Sequence, residues 1–228
     1  MDEPMLERLR AHYQGLPRMG RLSGKCSMSL PPRLCGLYVL DVLCRSGKGA
    51  FKLSDAVGDT GFVLGVDPDK SFIERAIAAA SENHRSGHGW RRYLRFEQAF
   101  PENLSIAGVS DASFDVVYVN CGLADVLDLP AALAEFHRCL KPGGYLWVAE
   151  GVFRGEQVRG DAISEDRTLM RPAFDGALTI NAFVQQCLCA GFARAEVSDA
   201  VSIPAGELAL PEGCASDSLV MADIKVIA

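Results

Sequence analysis

From Tyr38 onward, the sequence alternates between short apolar runs and longer amphipathic segments. The apolar runs are rich in Val, Leu, Tyr and Phe, as is typical of buried strands; they span residues 38–43, 62–67, 93–96, 114–120 and 145–149. The amphipathic segments carry apolar residues at helical spacing; they span residues 47–57, 69–83, 130–140 and 180–189. Strands that are separated by helices pair in parallel, so this alternation predicts an α/β fold with helices on both faces of the sheet.

The last two predicted strands, residues 193–201 and 218–227, have no helix between them. They must therefore pair antiparallel, because a parallel return needs a crossover. The prediction is a doubly wound, mostly parallel seven-stranded sheet that ends in an antiparallel hairpin. Ligands of such sheets bind at the carboxyl ends of the strands, near the point where the strand order reverses.

Composition excludes several classes of function. The 228 residues carry a net charge of −6 with no long basic run, which argues against a nucleic-acid partner. No apolar run approaches the roughly 18 residues of a membrane span, and the charged start lacks the apolar centre of a signal peptide. The eight cysteines form no CxxC pair and the four histidines are not at ligand spacing from them. We therefore expect a cytoplasmic protein with reduced thiols and no metal site.

An acidic residue, Asp67, ends the second predicted strand. A carboxylate at this position can accept two hydrogen bonds from a ribose diol. The alternative is that Asp67 caps the following helix, since it precedes Pro68.

The turn after the first strand, residues 41–49, stands where a glycine-rich loop would let a ligand approach the backbone. It begins at Asp41 and keeps Gly47 and Gly49, but Leu43 and Arg45 bring bulky side chains into it. Arg45 either blocks the pocket or pairs with a carboxylate of the ligand.

Phe100 and Glu102 follow the third strand, where they could bracket an adenine and its amino group. The alternative is that Glu102 caps a short helix. Asn120 and Cys121 end the fourth strand and face the same crevice. The Cys121 thiol could bind a soft metalloid or act as a nucleophile, or it could be a small buried hydrophobic residue.

These segments together resemble the arsenite methyltransferase family, whose members have the class I S-adenosylmethionine (SAM)-dependent methyltransferase fold. Residues 57–67, VGDTGFVLGVD, are similar to the family's LVGxxGxVxGID. Other similar segments follow in order, at residues 39–54, 96–104, 119–121, 140–144, 175–178 and 191–192. The resemblance implies SAM as the cofactor, held by residues 36–228, with residues 1–35 as an extension that covers the cofactor cleft.

By the same resemblance, Asp67 would bind the ribose, residues 100–102 the adenine and Asn120 the methionine moiety, beside Asp41, Arg45 and Gly47 of the first turn. Cys121 matches one of the family's arsenic-binding cysteines. Phe174 replaces another, and Cys26 is a poor substitute for the cysteines of the family's N-terminal segment.

Two functions follow from these matches and departures. The first is a SAM-dependent methyltransferase that acts on a small molecule, with residues 151–175 over the acceptor. The second is a degenerate methyltransferase fold that binds or regulates a protein partner, which the bulky residues of the first turn favour. A nicotinamide-dependent oxidoreductase is disfavoured because no GxGxxG follows the first strand.

Overall fold

The apolar runs of the sequence form the strands of one mixed β-sheet. The computed structural model describes residues 2–16, 28–85, 93–154, 178–198, 200–203 and 219–228. The strands are β1 (Tyr38–Val42), β2 (Phe62–Asp67), β3 (Leu94–Gln98), β4 (Phe114–Asn120), β5 (Leu140–Arg154), β6 (Arg194–Val197), β7 (Val201–Ser202) and β8 (Leu219–Ile227). They lie in the order β3-β2-β1-β4-β5-β8-β6, with the short β7 also beside β8. Strands β1 to β5 pair in parallel and β8 is antiparallel to its neighbours, which confirms the predicted fold class.

Two strands differ from their predicted bounds, and each shifts its register against β8 by one residue. The predicted strand 193–201 is divided into β6 and β7, since the four steps from Val197 to Val201 face only three steps on β8. The sheet therefore has eight strands rather than seven. Strand β5 is longer than predicted because β8 pairs with it as far as Arg154, and the register shifts between Val148 and Gly151. A bulge of this kind bends the strand and redirects its side chains.

Four helices lie on the two faces of the sheet, as predicted: α2 (Lys48–Val57), α3 (Lys70–Arg85), α4 (Leu129–Cys139) and α5 (Ile180–Cys189). A further helix, α1 (Glu3–Gly15), packs against Phe100 instead. Alternate residues of β1 point to opposite faces: Val39 packs in the apolar cluster of α2 and α3, whereas Leu40 packs in that of α4 and α5. None of the helices in the described part of the chain is long and apolar enough to cross a membrane.

Helix α1 was not predicted from the sequence, although its start carries recognisable signals. Asp2 precedes the helix and its carboxylate accepts a hydrogen bond from the Met5 amide, as an N-cap does. Leu9 and Tyr13, four residues apart, are buried on one side of the helix. They pack against Phe100, and burial of each contributes about 1.5–3 kcal/mol. Residues 17–27, including Cys26, and residues 155–177, including Phe174, lie outside the described part of the chain.

Candidate functional site

The turn between β1 and α2 keeps a glycine-like backbone at residues that are not glycine. Leu43 and Arg45 have φ angles of 57° and 49°, and Gly47 has 83°. This left-handed conformation costs an L-residue with a side chain about 1–2 kcal/mol relative to the right-handed one. The backbone at Leu43 and Arg45 therefore has the conformation that glycine would favour. These two positions differ from a glycine-rich loop only in carrying large side chains.

Gly47 is required at the start of α2 by both conformation and space. A Cβ atom on Gly47 would lie 2.7 Å from the Phe96 ring, closer than any stable contact. The helix begins at Lys48, so the first amide N–H groups of α2 lie directly beside this turn. A helix start next to a tight turn is a suitable place for a negatively charged ligand group.

Asp41 is a buried carboxylate beneath this turn. It is 2% exposed, and its Oδ2 atom accepts no hydrogen bond from any residue that the structure describes. Burial raises its pKa to about 8, the charge of Asp67 adds to the increase, and a hydrogen bond from the Ala50 amide opposes it. A buried acceptor without a partner is costly, and it indicates a position where a ligand donor would fit.

Asp67 lies at the end of β2 with both carboxylate oxygens facing the turn and α3. Oδ2 accepts from the Arg45 amide at 2.9 Å and Oδ1 from the Asp69 amide at 2.9 Å. Burial raises its pKa to about 6 against these two hydrogen bonds. The alternative of a helix cap is wrong, because Asp69 precedes α3 and its carboxylate accepts from the Ser71 amide at 2.8 Å. Ribose binding by Asp67 stays a prediction.

The Arg45 side chain extends from the β1 turn towards the end of β4. Its guanidinium Nη2 lies 3.8 Å from Asp125 Oδ2, and its Cζ atom lies 5.8 Å from the centre of the Phe72 ring. The Asp125 carbonyl in turn accepts a 2.7 Å hydrogen bond from His12 Nε2. The sequence did not predict that Asp125 or His12 belong to this site, because neither lies in a recognisable motif.

Phe100 and Glu102 both contact α1. The Phe100 ring lies 5.8 Å from the Tyr13 ring, and the Tyr13 hydroxyl donates to Glu102 at 2.9 Å and 3.0 Å. Glu102 also accepts from the Leu127 and Asp128 amides. The alternative of a helix cap is wrong for Glu102 too.

The short helix at this point, Leu104–Ala107, begins after Asn103, and the Leu104 amide is bonded to Glu135 instead of Glu102. Adenine binding by residues 100–102 remains a prediction.

Asn120 and Cys121, at the end of β4, lie beside Glu150 in the bulge of the neighbouring strand β5. The Cys121 sulfur is 3.6 Å from Asn120 Oδ1 and 3.7 Å from Glu150 Oε2, within reach of an S–H hydrogen bond. Cys121 and Glu150 have left-handed φ angles of 54° and 49°, and Glu150 lies in the β5 bulge. Cys121 is only partly buried, and its role as a ligand or nucleophile stays a prediction.

Two other thiols of the described residues, those of Cys44 and Cys187, are buried in the core. The Cys44 sulfur lies beneath the first turn beside Gly65, and Cys187 is on the buried side of α5. No group of three or more His, Cys, Asp or Glu residues within the described ranges could hold a metal ion.

The sequence and the fold both match known methyltransferases. A family model described as a methyltransferase domain matches residues 35–195, more than two thirds of the chain. This chain belongs to the methyltransferase-domain family. A solved structure with a similar fold, an arsenic (III) S-adenosylmethionine methyltransferase from Chlamydomonas reinhardtii, superposes with a TM-score of 0.76 over 96% of this chain and 73% of that one, at 28% identity.

Curated relatives of this methyltransferase-domain protein have two different functions. An arsenite methyltransferase from Aquipseudomonas alcaligenes is 30% identical over 187 residues, which are 82% of this chain and 53% of that protein. A demethylmenaquinone methyltransferase from Staphylococcus aureus is 39% identical over 111 residues, which are 48% and 41% of the two chains. The chain thus spans about half the length of these relatives or less. The chain belongs to the class I SAM-dependent methyltransferase family, close to its arsenite methyltransferases, and the cofactor of that family is SAM.

Proposed function

We propose that this chain is a SAM-dependent methyltransferase that acts on a small molecule. The observation that carries the proposal is the pair of buried carboxylates at the ends of β1 and β2. Asp41 has a buried oxygen without a described partner, which fits the ammonium group of the cofactor's methionine. Asp67 accepts one amide on each oxygen, and each oxygen has a further lone pair for a ribose hydroxyl.

The remaining parts of the crevice fit the other cofactor groups. The left-handed turn and the start of α2 offer amide N–H groups to the methionine carboxylate. When bound, SAM supplies an electrophilic methyl group on sulfur. The protein's part is to hold the acceptor in line with that methyl group, which accounts for most of the rate enhancement in a transfer of this kind.

Cys121 and Glu150 are our candidates for the acceptor side, and Asn120 beside them is our candidate for the methionine moiety of the cofactor. The Cys121 thiol could hold a soft atom of the acceptor. Glu150, 3.7 Å away, is suitably placed to take the proton that the thiol or the acceptor releases.

The second candidate function is a binding protein without catalysis, and one observation favours it. The Arg45 guanidinium lies across the crevice towards Asp125, where a bound cofactor would have to pass. Calorimetric titration of the purified chain with SAM and S-adenosylhomocysteine distinguishes the two. We expect binding of both ligands, and transfer of labelled methyl from SAM to a small acceptor. Failure to bind either ligand would overturn the methyltransferase proposal.

Ribose recognition provides a direct test. We expect Asp67→Ala to weaken cofactor binding by about 1–3 kcal/mol, because two ribose hydroxyls would lose their acceptor. The matched control is Asp69→Ala, two residues later, which removes the cap of α3. The control should lower the free energy of unfolding by about 1 kcal/mol and leave the dissociation constant unchanged. Equal loss of affinity in both variants would mean that Asp67 acts only through the loop.

Free arsenite is expected to be a poor acceptor, although the family includes arsenite methyltransferases. A trivalent arsenic centre is held durably by several thiolates at once, and Cys121 has two oxygen atoms beside it within the described part of the site. We expect no methylated arsenic from the chain with SAM, arsenite and a thiol reductant, as measured by chromatography with elemental detection. Production of methylarsenicals that is lost in Cys121→Ser would show the opposite.

A further inference from the structure

Asp223 lies on β8 at a point where the strands on both sides of it shift register. On one side, β5 advances three residues, from 148 to 151, while β8 advances two. On the other side, the chain advances four residues, from 197 to 201, while β8 advances three. Asp223 is opposite both irregularities. Bulges of this kind redirect side chains and are frequent beside active sites.

The polar groups of Asp223 bond to both of these irregular segments. Its Oδ1 atom accepts a 2.7 Å hydrogen bond from the Glu150 amide in the β5 bulge. Its own amide donates to Ser198 Oγ at 2.9 Å, and its carbonyl accepts from the Ser198 amide at 2.9 Å. An amide inside a bulge is displaced from the regular ladder, and a buried amide without an acceptor is costly. The Asp223 carboxylate supplies that acceptor for Glu150.

Glu150 has a backbone conformation that needs such support. Its φ angle is 49°, in the left-handed region that residues with a side chain seldom adopt unless the surrounding structure holds them there. The bulge also takes Glu150 out of the strand's alternation. Val148 and Phe153 pack in the same apolar cluster although they are five residues apart, whereas a regular strand repeats every two residues. The Glu150 carboxylate is thereby placed 3.7 Å from the Cys121 sulfur.

The backbone of Cys121 is fixed against the same bulge. Its amide donates a 3.0 Å hydrogen bond to the carbonyl of Ala149, the residue directly before Glu150. The thiol and the carboxylate are therefore placed relative to each other by two backbone contacts, one from β4 to β5 and one from β5 to the Asp223 side chain. A change at Asp223 on β8 can thus alter where the carboxylate meets the thiol.

We propose that Asp223 is a positioning residue for the acceptor side of the site. Its carboxylate holds the Glu150 backbone in the left-handed conformation that sets the Glu150 side chain against the Cys121 thiol. The proposal rests on the proposed function, which assigns Cys121 and Glu150 to the acceptor, and it deepens that function. Asp223 acts through Glu150 and does not itself contact the acceptor.

The test measures the rate at which iodoacetamide alkylates Cys121 at neutral pH, followed by peptide mass spectrometry. It needs neither the cofactor nor an identified acceptor. A carboxylate beside a thiol disfavours the thiolate, which is the form that reacts. We expect Glu150→Gln to raise the rate about fivefold, the effect of one charge about 4 Å away in a watery environment. Asp223→Ala should raise it about three- to fivefold, and the double variant should be no faster than Glu150→Gln alone.

Two conservative variants serve as matched controls. Asp223→Asn keeps an oxygen that can accept from the Glu150 amide, so it should react at the wild-type rate. Ser198→Ala removes the other side-chain contact of Asp223 and should also leave the rate unchanged. The exposed thiols of Cys35 and Cys189 should be alkylated equally in every variant. Asp223→Val, with a better strand former, replaces the alanine variant should circular dichroism show that the latter is unfolded.

Four alkylation results would overturn the proposal. A wild-type rate in Asp223→Ala beside a raised rate in Glu150→Gln would mean that Glu150 is held without Asp223. A raised rate in Asp223→Asn would mean that the charge of Asp223 acts instead of its hydrogen bond. A raised rate in Ser198→Ala would mean that any loosening of the two bulges has the same effect. An unchanged or lower rate in Glu150→Gln would remove the carboxylate from the thiol.

The proposed function is tested separately, by calorimetric titration of the same proteins with S-adenosylhomocysteine. We expect Asp223→Ala to bind this ligand as the wild type does, because Asp223 serves the acceptor side. A lower affinity in Asp223→Ala, with wild-type affinity in Asp223→Asn, would place Asp223 on the cofactor side and overturn its assignment. Absence of binding by the wild-type chain would instead overturn the proposed function, and with it a role for Asp223 in methyl transfer, whatever the alkylation rates.

Discussion

Replacing Glu102 with alanine is expected to lower the free energy of unfolding by about 2–4 kcal/mol and to release α1 from the sheet. The Glu102 carboxylate accepts hydrogen bonds from the Tyr13 hydroxyl and from the Leu127 and Asp128 amides. Glu102 is buried, so its removal leaves several donors without partners in a region of low dielectric constant. Denaturant unfolding measures the stability, and hydrogen exchange of residues 3–15 measures the release of α1.

Two companion variants separate the contributions. Tyr13→Phe removes one donor and keeps the ring against Phe100, so we expect a loss of about 1–2 kcal/mol. Glu97→Ala removes an exposed carboxylate on the neighbouring β3 and should change stability by less than about 0.5 kcal/mol. If Glu102→Ala behaves like Glu97→Ala, α1 is held by apolar contacts alone.

The fold could be predicted from the sequence because its signals are local. Each buried strand shows as a short apolar run, and alternate residues such as Val39 and Leu40 face different helix layers. The extra residues in β5 and near Ser198 could not be predicted, since they depend on register with β8. Helix α1 was missed because it is polar overall and is stabilised by contacts with Phe100 and Glu102, far along the chain.

The sequence indicated where several residues of the candidate site lie, but not which residues they contact. Asp41, Asp67 and Cys121 all lie at the carboxyl ends of their strands, where the fold class places them. The partners of Arg45 and Glu102 could not be predicted, because they come from a loop after β4 and from α1. The left-handed backbone at Leu43 and Arg45 could not be predicted either, because it depends on the path of the turn.

The buried carboxylate of Asp41 is expected to make the cofactor-free protein less stable as the pH rises. Its pKa is about 8 in the folded chain and near 4 in an unfolded one, so the folded state binds the proton more tightly. The stabilisation is complete below about pH 4 and is lost progressively as the pH rises towards 8. The pKa of Asp67 is raised to about 6, so Asp67 also makes the folded protein less stable as the pH rises towards 6.

Asp41→Asn should remove most of this slope, because asparagine does not titrate. Near pH 4 the variant should be about as stable as the wild type. At pH 8 it should be more stable by about 2–4 kcal/mol, as measured by denaturant unfolding without ligand. Asp55→Asn on the exposed side of α2 is the control and should keep the wild-type slope.

The same substitution, which should stabilise the protein, should weaken cofactor binding. If Asp41 holds the ammonium group of the cofactor, its charge is needed in the complex, and Asp41→Asn should weaken binding of S-adenosylhomocysteine by about 1–3 kcal/mol. Binding of 5′-methylthioadenosine, which has no ammonium group, should be unaffected. A variant that is more stable and binds less would show that Asp41 is kept at a cost in stability for the sake of its ligand. If the variant gains stability and binds both ligands as the wild type does, Asp41 is not a cofactor residue, and the ammonium group must be held elsewhere in the crevice.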